Sequence, residues 1–288
     1  MANAIAPGII LRDVETIAEM REVEALQKEV WGIEDLDVVP MTQLVAAKAA
    51  GGVLAGAFAG GRMVGFVYGF VGQEAGHVTL HSHMLAVKPE YRNHDLGYKL
   101  KLIQRERALA SGIRRITWTF DPLQCLNAHF NFAKLGVVSD SYRVNFYGEE
   151  TSSFLHRIGT DRLWVTWLLD SRRVRERIEG GAKGAPFPAE LEAVMPLLRV
   201  GPGNEPEAGD PVAAANGELA LIEIPGDIQE VQKNSPEMAH KWRETSRWAF
   251  THLISRNYLV EDFYRVSRAG GRIGVYVLRR GRQMEDFE

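Results

Sequence analysis

The spacing of hydrophobic positions over the first 170 residues predicts strands and helices in alternation. Apolar residues recur every three or four positions in 15–30, as on one face of a helix, and at every second position in 115–120, as in a strand. The predicted strands are 9–14, 53–59, 63–71, 77–87, 115–120, 137–146 and 163–169. The predicted helices are 15–30, 42–50, 96–111 and 126–135, the last capped by Gly136. This order indicates an α+β domain. Its helices pack on a mixed sheet, that is, an α/β sheet with both parallel and antiparallel strands.

The pattern changes after residue 170. Glycine and proline punctuate 180–217, which predicts a mostly irregular connector with one short helix at 190–198. Regular structure is predicted again from Glu218, as a strand, a long helix that Pro236 is able to interrupt, and a hairpin turned at Gly270-Gly271. The predicted parts of the chain are a domain over 1–170, a connector over 171–217 and a C-terminal α/β strand–helix–hairpin extension over 218–288.

Composition excludes several classes of protein. The net charge of −3 gives no general attraction to nucleic acid or to an anionic membrane, so neither is an expected partner. The single cysteine, Cys125, allows no disulfide framework within the chain. The sequence shows no secretory signal and no apolar stretch of membrane-spanning length. We therefore expect a soluble, cytoplasmic protein.

The stretch 85–101 carries the most specific chemical signal. An apolar strand ends with Leu85, Ala86 and Val87, and a loop containing Arg92 leads directly into a predicted helix. Such a turn aims several main-chain N–H groups and the positive end of a helix at one point, which suits a phosphate or a pyrophosphate. Gly97 would let that group approach the helix closely, because glycine has no side chain.

This turn resembles a motif of a known family. Arg92-x-x-Asp95-Leu96-Gly97, following a strand, is similar to the acceptor-loop signature of the GNAT superfamily of acyl-CoA-dependent N-acyltransferases, and residues 132–137 resemble a later motif of that family. The resemblance implies the GNAT fold and acyl-CoA, as acetyl-CoA or succinyl-CoA, as co-substrate. The cofactor-binding residues that it implies are Leu85, Ala86, Val87, Arg92, Asn93, His94, Asp95, Leu96, Gly97 and Asn127.

Asp95 departs from the family pattern, which most often has glycine at that position. Aspartate is a favoured helix N-cap, worth about 1 kcal/mol. A carboxylate ~6 Å from one phosphate charge costs roughly 3 kcal/mol at an effective dielectric constant of about 20. We therefore expect replacement of Asp95 by glycine to tighten the binding of coenzyme A.

Two histidines on the strand before the turn are candidate bases. Strict alternation along 77–87 predicts that His81, His83, Leu85 and Val87 share one face. By similarity to the family, His81 is the first candidate for the catalytic base and His83 the second. The alternative is that both are sheet histidines bonded to their neighbours. No metal site is expected, because no further ligand cluster has a recognisable spacing.

A proton donor for the leaving thiolate is less clearly marked. Phe132 occupies the position where many GNAT proteins have a tyrosine that carries out this step. The role then falls to Tyr142, Tyr147, water or nothing, and Tyr147 is the catalytic candidate that we name. Farther along, Arg243 and Arg247 share a helix face and could bind a carboxylate, although solvated surface charge is the commoner explanation.

The combined expectation is an N-acyltransferase that moves an acetyl or other short acyl group from acyl-CoA to a primary amine of a small molecule. Residues 118–123, Trp-Thr-Phe-Asp-Pro-Leu, resemble a segment of GNAT relatives associated with N-acylation of amino acids, and this resemblance implies an amino acid as one such acceptor, through N-acetyl or N-succinyl transfer. The amine would attack the thioester directly in a ternary complex. The alternative is a GNAT-like module that binds acyl-CoA without turnover and acts as a sensor or partner subunit. A homodimer paired through the terminal hairpin is a further possibility.

Overall fold

The computed structural model describes residues 8–148, 158–180, 186–268 and 271–287. Its strands are β1 (Ile9–Asp13), β2 (Val53–Ala59), β3 (Arg62–Glu74), β4 (His77–Val87), β5 (Arg115–Phe120), β6 (Val138–Arg143), β7 (Arg162–Leu168), β8 (Leu198–Val200), β9 (Pro206–Ala208), β10 (Leu219–Pro225), β11 (Tyr258–Arg268) and β12 (Gly271–Arg280). Its α-helices are α1 (Ile17–Trp31), α2 (Met41–Ala49), α3 (Leu96–Ala110), α4 (Cys125–Ala128), α5 (Arg172–Glu179), α6 (Pro211–Asn216), α7 (Ile228–Asn234) and α8 (Pro236–Ile254). The described residues form two compact units, 8–118 and those from 119 onward.

The first unit is built on a mixed sheet in the order β1-β2-β3-β4-β5. The first four strands pair in antiparallel fashion, and β4 pairs with β5 in parallel. On one face, residues of α1 and α2 such as Val23 and Leu44 form a core with Phe66 and Tyr68 of β3. On the other face, Leu96 and Leu100 of α3 pack on Val67 and Val87. The prediction of an α+β fold on a mixed sheet is confirmed.

A bulge in β4 changes which side chains share a face. Tyr68 of β3 pairs with Met84, whereas the next residue, Gly69, pairs with Ser82, so that His83 is the extra residue on β4. A bulge of this kind shifts the alternation of side chains by one position and recurs beside active sites.

The prediction that both histidines share a face with Leu85 and Val87 is therefore wrong. The rings of His81 and His83 lie 5.3 and 5.8 Å from the ring of Phe70, which packs against the α1–α2 core. Leu85 and Val87 belong instead to the core on the α3 side. The two histidines share one face of the sheet, and the side chains of Leu85 and Val87 lie on the opposite face.

The second unit has a sheet in the order β7-β6-β11-β12-β10-β8-β9. The predicted long helix is interrupted at Pro236, because α7 ends at Asn234 and the Ser235 side chain caps α8. The predicted extension of strand, helix and hairpin is present as β10, α7–α8 and β11–β12.

The glycine- and proline-rich stretch is more regular than the sequence indicates. It contains β8, β9 and α6, and β8 pairs in parallel with β10. Leu191, Leu197 and Leu198 are buried, which explains why the surrounding backbone is ordered into sheet and turns. The division into two compact units reflects how densely the residues pack together, which is a different property from the domain organisation predicted from the sequence. The predicted domain boundaries at 170 and 217 therefore stay a prediction.

The predicted helix over 126–135 has two parts. One turn of α-helix, α4, is followed by a π-helical segment at His129–Leu135, which ends at Gly136 with φ +76°. The glycine cap is confirmed, since a left-handed residue of this kind favours glycine. Cys125 is buried in α4. No helix in the described part of the chain combines the length and the apolar character needed to cross a membrane.

Candidate functional site

The predicted strand–turn–helix arrangement over 85–101 is present in the first unit. β4 ends at Val87, a 3₁₀ turn covers Pro89–His94, and α3 begins at Leu96. The Arg92 Nε donates a hydrogen bond of 3.3 Å to the Val87 carbonyl, and residue 92 is exposed. This bond anchors the Arg92 side chain to the end of β4. The turn therefore combines an arginine with the N–H end of a helix.

Asp95 lies at the N-cap of α3 in the left-handed conformation, with φ +53° and ψ +22°. Its side chain makes no capping hydrogen bond to the helix, so the expected capping role is wrong. The reason is geometric, since side-chain capping accompanies an extended N-cap residue rather than a left-handed one. A left-handed residue favours glycine, with aspartate and asparagine tolerated. The backbone thus suits the glycine that the family pattern has at this position.

Gly97 has no steric need to be glycine within the protein itself. Among the described residues, a Cβ added there would come near one atom only, the Leu85 Cδ2 at 3.4 Å, which is ordinary van der Waals contact. The backbone of Gly97 is helical and has no positive φ. The free space above the first turn of α3 is consistent with a group from outside the chain approaching this backbone.

The two candidate histidines sit in an aromatic environment. His81 Nδ1 lies 3.2 Å from the Thr117 Oγ1 on β5, and the His83 ring makes an edge contact with Tyr68. Burial, with a smaller effect from the charges of His83 and Lys101, lowers the pKa of His81 to about 4. Burial also lowers the pKa of His83. Both imidazoles are therefore neutral at pH 7, and the proton affinity of His81 is low.

Lys101 is a buried residue that sequence reasoning missed. Its Nζ donates hydrogen bonds to the Ser82 Oγ at 2.7 Å and to the Gln104 Oε1 at 3.2 Å, and lies 3.7 Å from the centre of the Trp118 ring. Burial lowers its pKa well below the ordinary lysine value. The spacing of α3 contains a signal for it, because residue 101 falls between the buried positions 100 and 104 of the same helix.

Tyr147 and Asn127 belong to the second unit. The Tyr147 hydroxyl is 3.4 Å from the Thr119 Oγ1, its ring is 5.3 Å from the guanidinium carbon of Arg162, and the residue is 42% exposed. Asn127 is exposed on α4. The predicted site residues are thus divided between the units, with the turn and the histidines in the first.

Tyr142, the other tyrosine considered as proton donor, and Phe132, at the position where many family members have a tyrosine, are both engaged inside the protein. Tyr142 donates a 2.7 Å hydrogen bond to the Asp161 Oδ2, and burial raises its pKa above the ordinary tyrosine value. Phe132 is fully buried against Phe120 and Tyr276.

Within the described ranges, no three His, Cys, Asp or Glu side chains are grouped as a metal ion would require.

Comparison with known proteins assigns the family of the region that contains the turn. Residues 17–136 match the family model described as the acetyltransferase (GNAT) family. This segment is a GNAT domain. It includes both histidines and the whole Arg92–Gly97 turn, and it ends at the Gly136 cap.

Solved structures with partial likeness to the chain are also acetyltransferases. An aminoglycoside 6′-acetyltransferase type Ii has 16% identity and a TM-score of 0.45, covering 57% of this chain and 99% of its own. A GNAT acetyltransferase from Streptococcus pneumoniae has 21% identity and a TM-score of 0.44, covering 55% and 97%. The ribosomal-protein-S18-alanine N-acetyltransferase from Escherichia coli has 14% identity and a TM-score of 0.43, covering 56% and 94%. No curated protein matches the chain by sequence.

Proposed function

We propose that the protein is an acyl-CoA-dependent N-acyltransferase that moves an acetyl or other short acyl group to the primary amine of a small molecule. The observation that carries the proposal is the Arg92–Gly97 turn, which joins β4 to α3 inside a GNAT domain. Its exposed arginine and its uncrowded glycine backbone are the features that a diphosphate needs.

Coenzyme A would be held by the main chain of the turn, by Arg92 and by the end of β4, all in the first unit. The diphosphate would accept hydrogen bonds from the main chain of the turn and from Arg92, while the end of β4 at Leu85–Val87 would pair with the pantetheine amides as an added strand does. Asn93, His94, Asp95 and Leu96 complete the turn, and Asn127 of the second unit is proposed as a further contact. When bound, the coenzyme supplies an activated thioester.

The chemistry needs little from the side chains beyond positioning. The amine nitrogen attacks the thioester carbonyl, a C–N bond forms, the C–S bond breaks and the thiolate of coenzyme A leaves. The ammonium proton must go to a base, for which His81 is the first candidate and His83 the second. Because the pKa of His81 is lowered to about 4, it is a weak base and assists chiefly by accepting the proton as the bond forms. Tyr147 is proposed to protonate the thiolate.

Release of free thiol tests the proposal directly. The purified chain is incubated with acetyl-CoA or succinyl-CoA and a panel of amines that includes amino acids, and thiol is measured against time. Amine-dependent release is expected, and it should fall at least tenfold in His81→Ala if His81 is the base. Full turnover in His81→Ala would remove that role from His81 without removing the proposed activity.

The second candidate is a module that binds acyl-CoA without turnover. The carboxylate of Asp95 within the turn and the absence of a hydroxyl at buried Phe132 favour it. This candidate predicts binding of coenzyme A by calorimetry together with no thiol release from any amine in the panel.

The remaining expectations belong to the same proposal. An enzyme that uses acyl-CoA and has its single cysteine buried is suited to a reducing compartment, and we propose a cytoplasmic location. We also propose pairing of two copies, which light scattering on the purified chain would detect as a doubled mass.

A further inference from the structure

Arg243 of α8 carries a buried donor that the described part of the chain does not use. Its side chain is 3% exposed. The Nη2 donates a 2.8 Å hydrogen bond to the Asp121 Oδ2, and the Nε donates a 3.1 Å bond to the Ile158 carbonyl. The Nη1 is buried and has no hydrogen-bond partner among the residues that the structure describes. Because buried polar atoms in proteins are almost always paired, a charged donor in this position points to a missing acceptor.

The nearby carboxylates do not supply that acceptor. Asp161 is fully buried and already accepts four hydrogen bonds, from the Nε and Nη2 of Arg247 at 2.8 and 2.9 Å, from Tyr142 at 2.7 Å and from the Asn145 N–H at 3.0 Å. Four bonds fill both oxygens of a carboxylate. Asp121 already accepts from the Nη2 of Arg243 and from the Leu123 N–H at 3.0 Å.

The surroundings of Arg243 also favour an anion. The described members of this cluster are three arginines, Arg162, Arg243 and Arg247, and two aspartates, Asp121 and Asp161. Arg162 is itself buried, and burial lowers its pKa; the negative charge of Asp121 opposes this effect and the positive charge of Arg243 adds to it. Tyr147, beside Arg162, gives the cluster its exposed side.

We propose that the Nη1 of Arg243 binds the carboxylate of a small-molecule ligand. A guanidinium group presents a planar fork of donors that matches a carboxylate, which supplies both the missing acceptor and the missing negative charge, whereas a water molecule supplies only the first. The Nη1 is closed off from solvent, so a ligand reaches it only when a neighbouring side chain moves.

Two ligands could bring such a carboxylate. One is an amino acid that serves as acceptor, through its α-carboxylate, and the other is a dicarboxylic acyl group such as succinyl, through its distal carboxylate. The assignment to acceptor or donor rests on the proposed acyl transfer, but binding of a carboxylate to Arg243 does not.

Calorimetry on the full chain without acyl-CoA tests the inference apart from any turnover. Each amino acid of a panel is compared with the amine formed by its decarboxylation, and succinate is compared with its diamide. Binding at least tenfold tighter for the carboxylate member of a pair is expected. Preference confined to amino acids assigns the site to the acceptor, and preference confined to succinate assigns it to the acyl donor. Equal binding within every pair would overturn the inference.

Two variants connect the preference to Arg243. Arg243→Lys keeps the positive charge beside Asp121 but removes the Nη1, and should weaken carboxylate binding at least tenfold. Lys241→Arg, at an exposed position of the same helix outside this cluster, is the matched control and should change it less than twofold. Asp121→Asn removes a competing carboxylate and should tighten binding, which keeps a test available if Arg243→Lys fails to fold. Unchanged binding in Arg243→Lys would contradict the assignment and leave water as the partner of the Nη1.

Discussion

At the scale of single residues, the turn between β4 and α3 holds one residue that fits its backbone poorly and one that fits it well. Asp95 adopts φ +53° without the compensation of a capping hydrogen bond. Gly97 has an ordinary helical backbone and space for a methyl group. The first position therefore limits the proposed binding of coenzyme A, and the second supports it.

Replacing Asp95 by glycine should improve both stability and binding. Glycine relieves the left-handed conformation, for a gain of about 1 kcal/mol in the free energy of unfolding. Removal of a carboxylate ~6 Å from a phosphate charge is worth up to roughly 3 kcal/mol, so the dissociation constant of coenzyme A should fall tenfold or more. Urea unfolding and calorimetry measure the two effects.

Asp95→Asn separates these contributions. Asparagine also tolerates the left-handed region, so stability should stay near that of the natural chain while coenzyme A binds more tightly. A dissociation constant that is unchanged or larger in both variants would contradict the placement of this carboxylate near the phosphates.

Replacing Gly97 by alanine should have opposite effects on folding and binding. Alanine in a helix is favoured over glycine by about 1 kcal/mol, and the added methyl group meets only Leu85, so stability should not fall. Affinity for coenzyme A should drop about tenfold or more, because the methyl group blocks the approach of the diphosphate. Gly72→Ala, in β3 and also with an uncrowded Cβ position, is the control. Equal affinity in both variants would argue against binding at this turn.

The lowered pKa of His81 predicts a pH dependence of stability. The unfolded chain binds a proton near pH 6.5 and the folded chain near pH 4, so between these values the unfolded state holds more protons. Stability should therefore be highest above pH 6.5 and decrease as the pH falls toward 4, by at most about 3 kcal/mol. His81→Gln should lose less stability between pH 7 and pH 4.5 than the natural chain. An identical loss would contradict the burial of His81.

At the scale of elements, the sequence predicts most of the helices and strands but not their irregularities. Alternation and helical spacing are local signals, which is why β4, α3 and the break at Pro236 could be read from them. The bulge at His83 depends on pairing with β3, and the order of the glycine-rich stretch depends on β10, so neither is visible in the local pattern.

Helix α3 provides a prediction at this scale. Lys101 is buried among Ser82, Gln104 and Trp118, and its pKa is well below the ordinary value. Because burial disfavours the charged form in the folded chain, the unfolded state binds more protons as the pH rises toward the ordinary lysine pKa, and stability should increase over that range. Lys101→Met should be more stable by about 1 kcal/mol at pH 7 and should lose this rise. Chemical unfolding at pH 7 and pH 9.5 measures the stability difference and its change with pH. A Lys101→Met variant that is less stable than the natural chain and still gains stability with rising pH would show that the amine is needed.

At the scale of the whole molecule, the residues proposed to carry chemistry lie in both compact units. The turn and the histidines, in the GNAT domain, follow from a motif that could be recognised in the sequence. The paired aspartates and arginines of the second unit could not, because Asp121 and Arg243 are 122 positions apart and only the fold brings them to 2.8 Å. Arg247 is likewise paired with Asp161 rather than left as solvated surface charge.

The most direct test of the proposed function is a crystal structure of the chain with coenzyme A bound. We expect the diphosphate within hydrogen-bonding distance of the main-chain N–H groups between Arg92 and Gly97, with the pantetheine arm along Leu85–Val87. A coenzyme bound elsewhere, or a turn filled by side chains of the protein, would contradict the assignment of this turn and with it the proposed acyl transfer.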